Sequence, residues 1–179
     1  MADAEKNVST LANSVALHAE DTIKKADTVL FGLVDEVERT GIQPAILSKL
    51  YPSLALHVAE LPEVQGFFIY DEKGNWIVNS LGDVPGNLNN ADREYFLYHS
   101  THPERHPYIS SPVRSRSTGD WVIPVSRRIN HVNGSFAGVV LATIKVKYFD
   151  KQYVNFNIGR EGRQRSQSLL PMAISRRAP

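Results

Sequence analysis

Cysteine is absent from the 179 residues. Without a thiol there is no structural disulfide, no thiolate metal site and no cysteine nucleophile. The redox compartment stays open, because a cysteine-free chain suits either side of a membrane. Long apolar runs are also missing: no stretch reaches the roughly 18 residues a membrane-spanning helix needs. The opening residues, MADAEKNVSTLANS, lack the basic start and apolar core of a signal peptide. If the protein works outside the cytoplasm, this chain is expected to be an excised part whose targeting segment lies elsewhere. Charge of one sign is not in excess: Lys and Arg number 20, Asp and Glu 19, for a formal net charge of +1. That balance argues against a dedicated nucleic-acid binder. Catalytic signatures are missing as well. No GxSxG elbow or phosphate-cradling glycine loop occurs, and the acids are scattered rather than paired in apolar surroundings. The chain therefore reads as non-enzymatic, with no catalytic residue and no cofactor.

What is present is first a helix. Val8, Leu11, Val15, Ala19, Ile23, Ala26, Leu30, Leu33 and Val37 recur three or four residues apart, a sustained helical stripe. At a rise of ~1.5 Å per residue it spans roughly 45 Å. Two readings stand: a long core helix, or a protruding helix that pairs with its twin in a homodimer. Gly41 ends it, Pro44 can open a short second helix, and PSLALHVAELP reads as a third. The period then changes to that of strands. GFFIYDEKGNWIVNS is a hairpin signal, and LGDVPGNLNN is a loop by composition. DREYFLYHS follows as a helix that Asp92 or Asn90 can cap and His102-Pro103 stops. Three strands come next, Tyr108–Ser115, Trp121–Ile129 and Phe136–Lys147, separated by STGD and by HVNGS, whose Asn133-Gly134 marks a hairpin. The nearly unbroken apolar run SFAGVVLATIKV predicts a central strand buried on both faces. The expected fold is α+β: a five-stranded antiparallel sheet with helices on its faces and one helix inserted between strands 2 and 3.

The pieces GFFIYDEKGNWIVNS, ADREYFLYH, SSPVRSRSTGDWVIPVSRR and GSFAGVVLATIKVKYFDKQY, in this order, resemble the Cache or PDC domains, PAS-like extracytoplasmic sensor modules of bacterial signalling proteins. The resemblance covers roughly residues 42–156 and the helix before them. It implies a module outside the cytoplasmic membrane, tethered by helices to a diguanylate cyclase (GGDEF) or histidine kinase output domain that these residues do not contain. It divides the chain into a long N-terminal helix (1–41), a membrane-distal sensing module (42–156) and a tail or truncated start of a second module (157–179). That tail is too short to bury a core of its own. The Tyr…Arg…Trp-Tyr…Asp pattern of amino-acid-binding members is not matched, so amino-acid sensing is not implied.

The resemblance also implies a ligand pocket between the inserted helix, with its loops, and the concave face of the sheet. There Arg93 would clamp an anion through its planar fork, or else pair with Glu94 or Asp92 at the surface. Arg93, Phe96 and Leu97 lie on one side of this helix, and Tyr95, Tyr98, His99 and His102 on another. On a strand, Arg114 and Arg116 share one face while Ser115 and Ser117 take the other. Two like charges so placed want an anion or open solvent. His99, His102 and His106 invite a metal reading, but Pro103 interrupts their helix and no metal site is expected. His99 reads instead as a pocket hydrogen-bonder able to make binding pH-dependent. Tyr108 lines the pocket or the core, and Trp121 packs or recognises. The expected ligand-binding set is Arg93, Tyr95, Tyr98, His99, Tyr108, Arg114, Arg116, Ser117 and Trp121. The expected function is extracytoplasmic sensing of a small polar or anionic molecule by a membrane-anchored receptor, relayed through the N-terminal helix. The alternative is a ligand-free structural or dimerisation module.

Overall fold

The architecture comes from a computed structural model that describes residues 2–149; the tail 157–179 lies outside them. The stripe of apolar residues forms α1 (Ala2–Thr40), closed by Gly41, whose N–H donates to the Val37 carbonyl at 2.8 Å with φ +85°. A short α2 (Pro44–Leu47), a 3-10 turn (Ser48–Leu50) and α3 (Tyr51–Glu60) follow. The strands are β1 (Val64–Asp71), β2 (Trp76–Asn79), β3 (Tyr108–Ile109), β4 (Val113–Arg114), β5 (Trp121–Asn130) and β6 (Phe136–Lys145), with α4 (Glu94–Thr101) between β2 and β3. One compact unit comprises Asp21–Lys147. In the other, the His18 ring stacks on Tyr148 with centroids 5.7 Å apart.

The sheet is antiparallel in the order β2-β1-β6-β5-β3, with β4 also on β5. The run read as a doubly buried central strand is β6, which lies between β1 and β5 and is buried from Ala137 to Ile144. Register then sorts side chains by face. Phe68 opposite Leu141, and Tyr70 opposite Val139, look one way; Phe67 opposite Ala142, and Ile69 opposite Val140, look the other. On the first face Phe68, Tyr70, Val139 and Leu141 join Trp76 and, from α4, Tyr95 and Phe96 in one aromatic-rich cluster. On the second, the His57 ring of α3 meets Phe67 edge-on at 6.4 Å. Ala26, Leu30, Leu33, Val34 and Val37 of α1 are buried. Arg127 of β5, opposite Val140 and so on that same face, grips Asp27 of α1 through two bonds of 2.6 and 2.9 Å.

Six strands stand where five were expected. The segment Tyr108–Ser115 is broken into β3 and β4. From Ile109 to Val113 the chain advances four residues while its partner β5 retreats three, from Val125 to Val122. The extra residue bulges beside Pro112, which has no N–H for a ladder. Pro124 of β5 sits across from this gap, and its carbonyl accepts from the Ser110 N–H at 3.0 Å. Its own missing N–H falls on that broken edge, so no bond to β6 is lost.

Gly138 of β6 fixes the register with β1. Its φ is +150°, and a Cβ there would lie 2.1 Å from the Tyr70 carbonyl oxygen. Backbone on a central strand cannot yield that distance. Gly138→Ala is expected to lower stability by about 2–4 kcal/mol in urea unfolding, whereas Gly32→Ala, with open space around the added methyl, leaves the midpoint unchanged or raised.

Candidate ligand-binding site

The first sheet face and α4 enclose a small hollow. Phe68, Tyr70, Leu141 and Thr143 rise from the sheet, Trp76 from β2, and Asn90 and Tyr95 from the approach to α4 and its first turn. Arg93, Arg114, Ser115, Arg116 and Ser117 form the rim. The enclosed volume is about 20 Å³, room for about one water. It is lined at the base by carbon and at the rim by guanidinium groups.

Of the nine expected residues, Arg93, Tyr95, Arg114, Arg116 and Ser117 line this hollow. Arg93 itself occupies the N-cap of α4 with extended backbone (φ −76°, ψ 144°) and no side-chain cap; capping by Asp92 or Asn90 is not what the structure shows. Both side chains are engaged elsewhere. The Asn90 carbonyl oxygen accepts from the Trp76 indole N–H at 3.1 Å, and its amide donates to the Tyr95 hydroxyl at 2.7 Å. The Asp92 carboxylate is held by Arg116 through parallel bonds of 2.8 and 2.7 Å. Arg93 does not pair with an acid: its Nη2 donates to the Arg114 carbonyl at 3.0 Å.

Arg114 and Arg116 do not share a strand face. The strand ends at Arg114, and Arg116 lies in the turn 116–118, where it folds back towards Asp92 and also donates to the Asn89 carbonyl. Ser115 and Ser117 bond each other at 2.8 Å on the rim. Arg114 turns outward, donating to the Gly119 carbonyl at 2.8 Å and lying 5.0 Å over the Trp121 ring.

Tyr98, His99, Tyr108 and Trp121 lie outside the hollow. Trp121 is 47% exposed at the start of β5, outside the core. Tyr98 stacks between Tyr108 at 3.9 Å and His102 at 4.3 Å on the outer side of α4, and Tyr108 donates to Glu94 at 2.7 Å. The inward face of α4 is Tyr95, Phe96 and His99, while Leu97 is exposed; the expected grouping of Arg93 with Phe96 and Leu97 therefore splits. His99 is buried against β5 instead. The Ser126 hydroxyl donates to the Tyr108 carbonyl at 3.2 Å, so the His99 Nε2–H donates to Ser126 at 3.0 Å. Its buried Nδ1 has no partner among the described residues. Among the described residues no group of three or more His, Asp or Glu side chains gathers as a metal site would need.

Phe68, Tyr70, Trp76, Asn90, Leu141 and Thr143 were not singled out in the sequence. Period-two alternation in GFFIYD already puts Phe68 and Tyr70 on one face; only the topology shows that this face is roofed by α4. Burial pushes both Tyr70 and Tyr95 hydroxyls above the ordinary tyrosine range. The hydrogen bonds from Arg116 bring Asp92 down to about 2, and Asp92 in turn raises Arg116.

A family model described as the Cache domain matches residues 1–170. The chain belongs to the Cache domain family. No curated protein matches it. Among solved structures, this Cache domain is similar to the extracellular domain of rpHK1S-Z16, a protein described as a histidine kinase, with 35% identity and a TM-score of 0.76 over 87% of this chain and 63% of that one. It shares its fold with the ligand-binding domain of the Campylobacter jejuni chemoreceptor Tlp3 in complex with 4-methylisoleucine, at 13% identity and a TM-score of 0.66, over 82% of this chain and 60% of that one. The sensor domain of the V. cholerae histidine kinase DctB is similar at 12% identity and a TM-score of 0.64, over 83% of this chain and 58% of that one. The chain thus spans about three-fifths of the length of these structures. Among the described residues no helix is long and apolar enough to cross a membrane.

The buried His99 sets a pH dependence for the Cache domain. Desolvation, with Arg128 nearby, lowers its pKa from 6.5 to about 4. The unfolded chain takes up this proton near pH 6.5 and the folded one only near 4, so stability is fully present above about 6.5 and falls as pH drops towards 4. Urea unfolding is expected to show a loss of about 3 kcal/mol across that window, and His99→Gln should remove most of the slope.

Proposed function

We propose that this Cache domain is the extracytoplasmic ligand-sensing part of a bacterial transmembrane receptor whose output domain is a histidine kinase or a diguanylate cyclase. The family and the sensor domains among its structural neighbours support this reading. The observation that carries it is the hollow beneath the start of α4, where Arg93 and Arg116 crown an aromatic base. Guanidinium groups over apolar walls suit a small polar or anionic molecule, held by fork-shaped hydrogen bonds away from water. In this reading residues 42–156 sense and residues 1–41 relay, with 157–179 a tail or the start of a second module, and the parent is anchored in the membrane.

A path for the relay runs along the far end of α4. Arg127, which grips Asp27, also donates to the Arg105 carbonyl at 2.7 Å. Arg105 pairs with Glu38 of α1 at 2.8 Å, and Glu38 accepts from the Asn130 N–H at 2.9 Å. The loop leaving α4 is thus tied to α1, and a ligand that favours one pose of α4 favours one pose of α1.

The size of the hollow favours a second reading, a ligand-free module that dimerises through α1, where Phe31 is exposed. Thermal unfolding against carboxylates, amines and sugars separates the two. Sensing predicts that at least one class, at a hundredfold excess over its Kd, raises the Tm by about 5–10 °C, and that Arg93→Ala abolishes the rise. A dimer by light scattering with no response to any class supports the second reading.

A further inference from the structure

Arg116, on the rim of the hollow, already holds a carboxylate, and it is the protein's own. Asp92 lies in the fork of Arg116 with both oxygens engaged, yet its side chain is 67% exposed while that of Arg116 is 27%. The acid reaches in from solvent to a cation that belongs to the rim.

A count of hydrogen-bonding groups around the hollow gives the same direction. The Asn90 carbonyl oxygen is taken by Trp76 and approached by Arg116 at 3.3 Å, and both Asp92 oxygens are taken by Arg116. Donors are in surplus. Arg93 directs Nη2 to the Arg114 carbonyl, leaving the rest of its five N–H groups for other partners. Asn90 supplies a donor to the Tyr95 hydroxyl rather than an acceptor. A site rich in donors and short of acceptors takes an acceptor-rich guest, and the Arg116 fork matches two coplanar oxygens.

We propose that Asp92 is a resident competitor for Arg116: it occupies the seat of the carboxylate of a small organic acid, and the acid enters by displacing it. This rests on the ligand-sensing reading above. It also accounts for the small volume. Arg116 holds both Asp92 and the Asn89 carbonyl, so the turn from Asn89 to Arg93 closes over the hollow while Asp92 is seated. An incoming carboxylate releases Asp92, lets that turn lift and makes room for its own carbon chain. Because Asp92 and the guest contend for one fork, the energy of the internal pair is subtracted from the affinity for the guest.

The test uses the full chain with Trp121→Phe, which leaves Trp76 at the base of the hollow as its one tryptophan. In this background Asp92→Asn is expected to raise acrylamide quenching of Trp76, because the turn above it is freed. Titration with sodium acetate, pyruvate and succinate against matched sodium chloride is expected to show about fivefold tighter binding of at least one acid to Asp92→Asn than to the parent. Arg116→Gln should lose that binding, and Arg116→Lys, which keeps the charge but not the fork, should weaken it. Circular dichroism melts confirm that each variant is folded; Asp92→Ala serves the same purpose should Asp92→Asn not fold. Unchanged quenching together with unchanged or weaker acid binding overturns the competitor role, and the sensing reading then stands on whatever amine or sugar raises the Tm. Raised quenching with no acid bound by Asp92→Asn overturns the assignment of the guest as a carboxylate. A response to none of the three classes overturns both readings.

Discussion

The alternation of side chains across β1 and β6 governs the rest of the molecule. Tyr70 opposite Val139 sends its ring to the face roofed by α4, while Ile69 opposite Val140 looks towards the other helices. A slip of one residue exchanges every such pair. The aromatic base would then face α1, and Phe67 and Ile69 would face the arginine rim. Gly138, pressed against the Tyr70 carbonyl, holds the alignment at the very residue whose hydroxyl lies at the bottom of the hollow. Fold and site thus share one constraint.

On the α4 face the buried Arg128 is satisfied by backbone carbonyls rather than by a carboxylate. Arg128 is almost wholly buried, yet it binds the carbonyls of His99 and His102 at the end of α4, the side chain of Asn130, and the face of Phe136 at 4.9 Å. The partial negative charge at a helix C-terminus stands in for an acid there, while burial draws the Arg128 pKa below the ordinary arginine range. One end of α4 is therefore pinned by a core arginine, whereas the other meets Arg93 and Arg116 at the surface.

Much of this architecture was legible in order and spacing. Asn133-Gly134, the DEKGN turn, the apolar run of β6 and the DREYF helix each carry a local signal, and together they specify a sheet with one inserted helix. Arg93, Arg116 and Tyr95 could be associated with a pocket because they border that helix or the strand after it. The rest depended on contacts distant in sequence. Asp92 and Arg116 are 24 residues apart, and nothing local tells either that the other is near. Which side of an eight-residue helix faces inward was decided by the sheet beneath it, and so His99 went to Ser126 rather than to the hollow. Trp121, a residue type that usually packs, lies exposed at the start of β5 with the Arg114 guanidinium over its ring. A single extra residue beside Pro112 split one strand into two, and the turn that begins after Arg114 carried Arg116 away from it.

The two ties between the sheet side and α1 have a mechanical consequence. Asp27 and Glu38 lie eleven residues apart, about 16 Å along the helix, and Arg127 and Arg105, which hold them, are themselves linked through the Arg105 carbonyl. A rod pinned at one point can pivot about it; one pinned at two cannot. Any push delivered to this stretch of α1 must shift it bodily, as a piston, and cannot be absorbed as a local swivel.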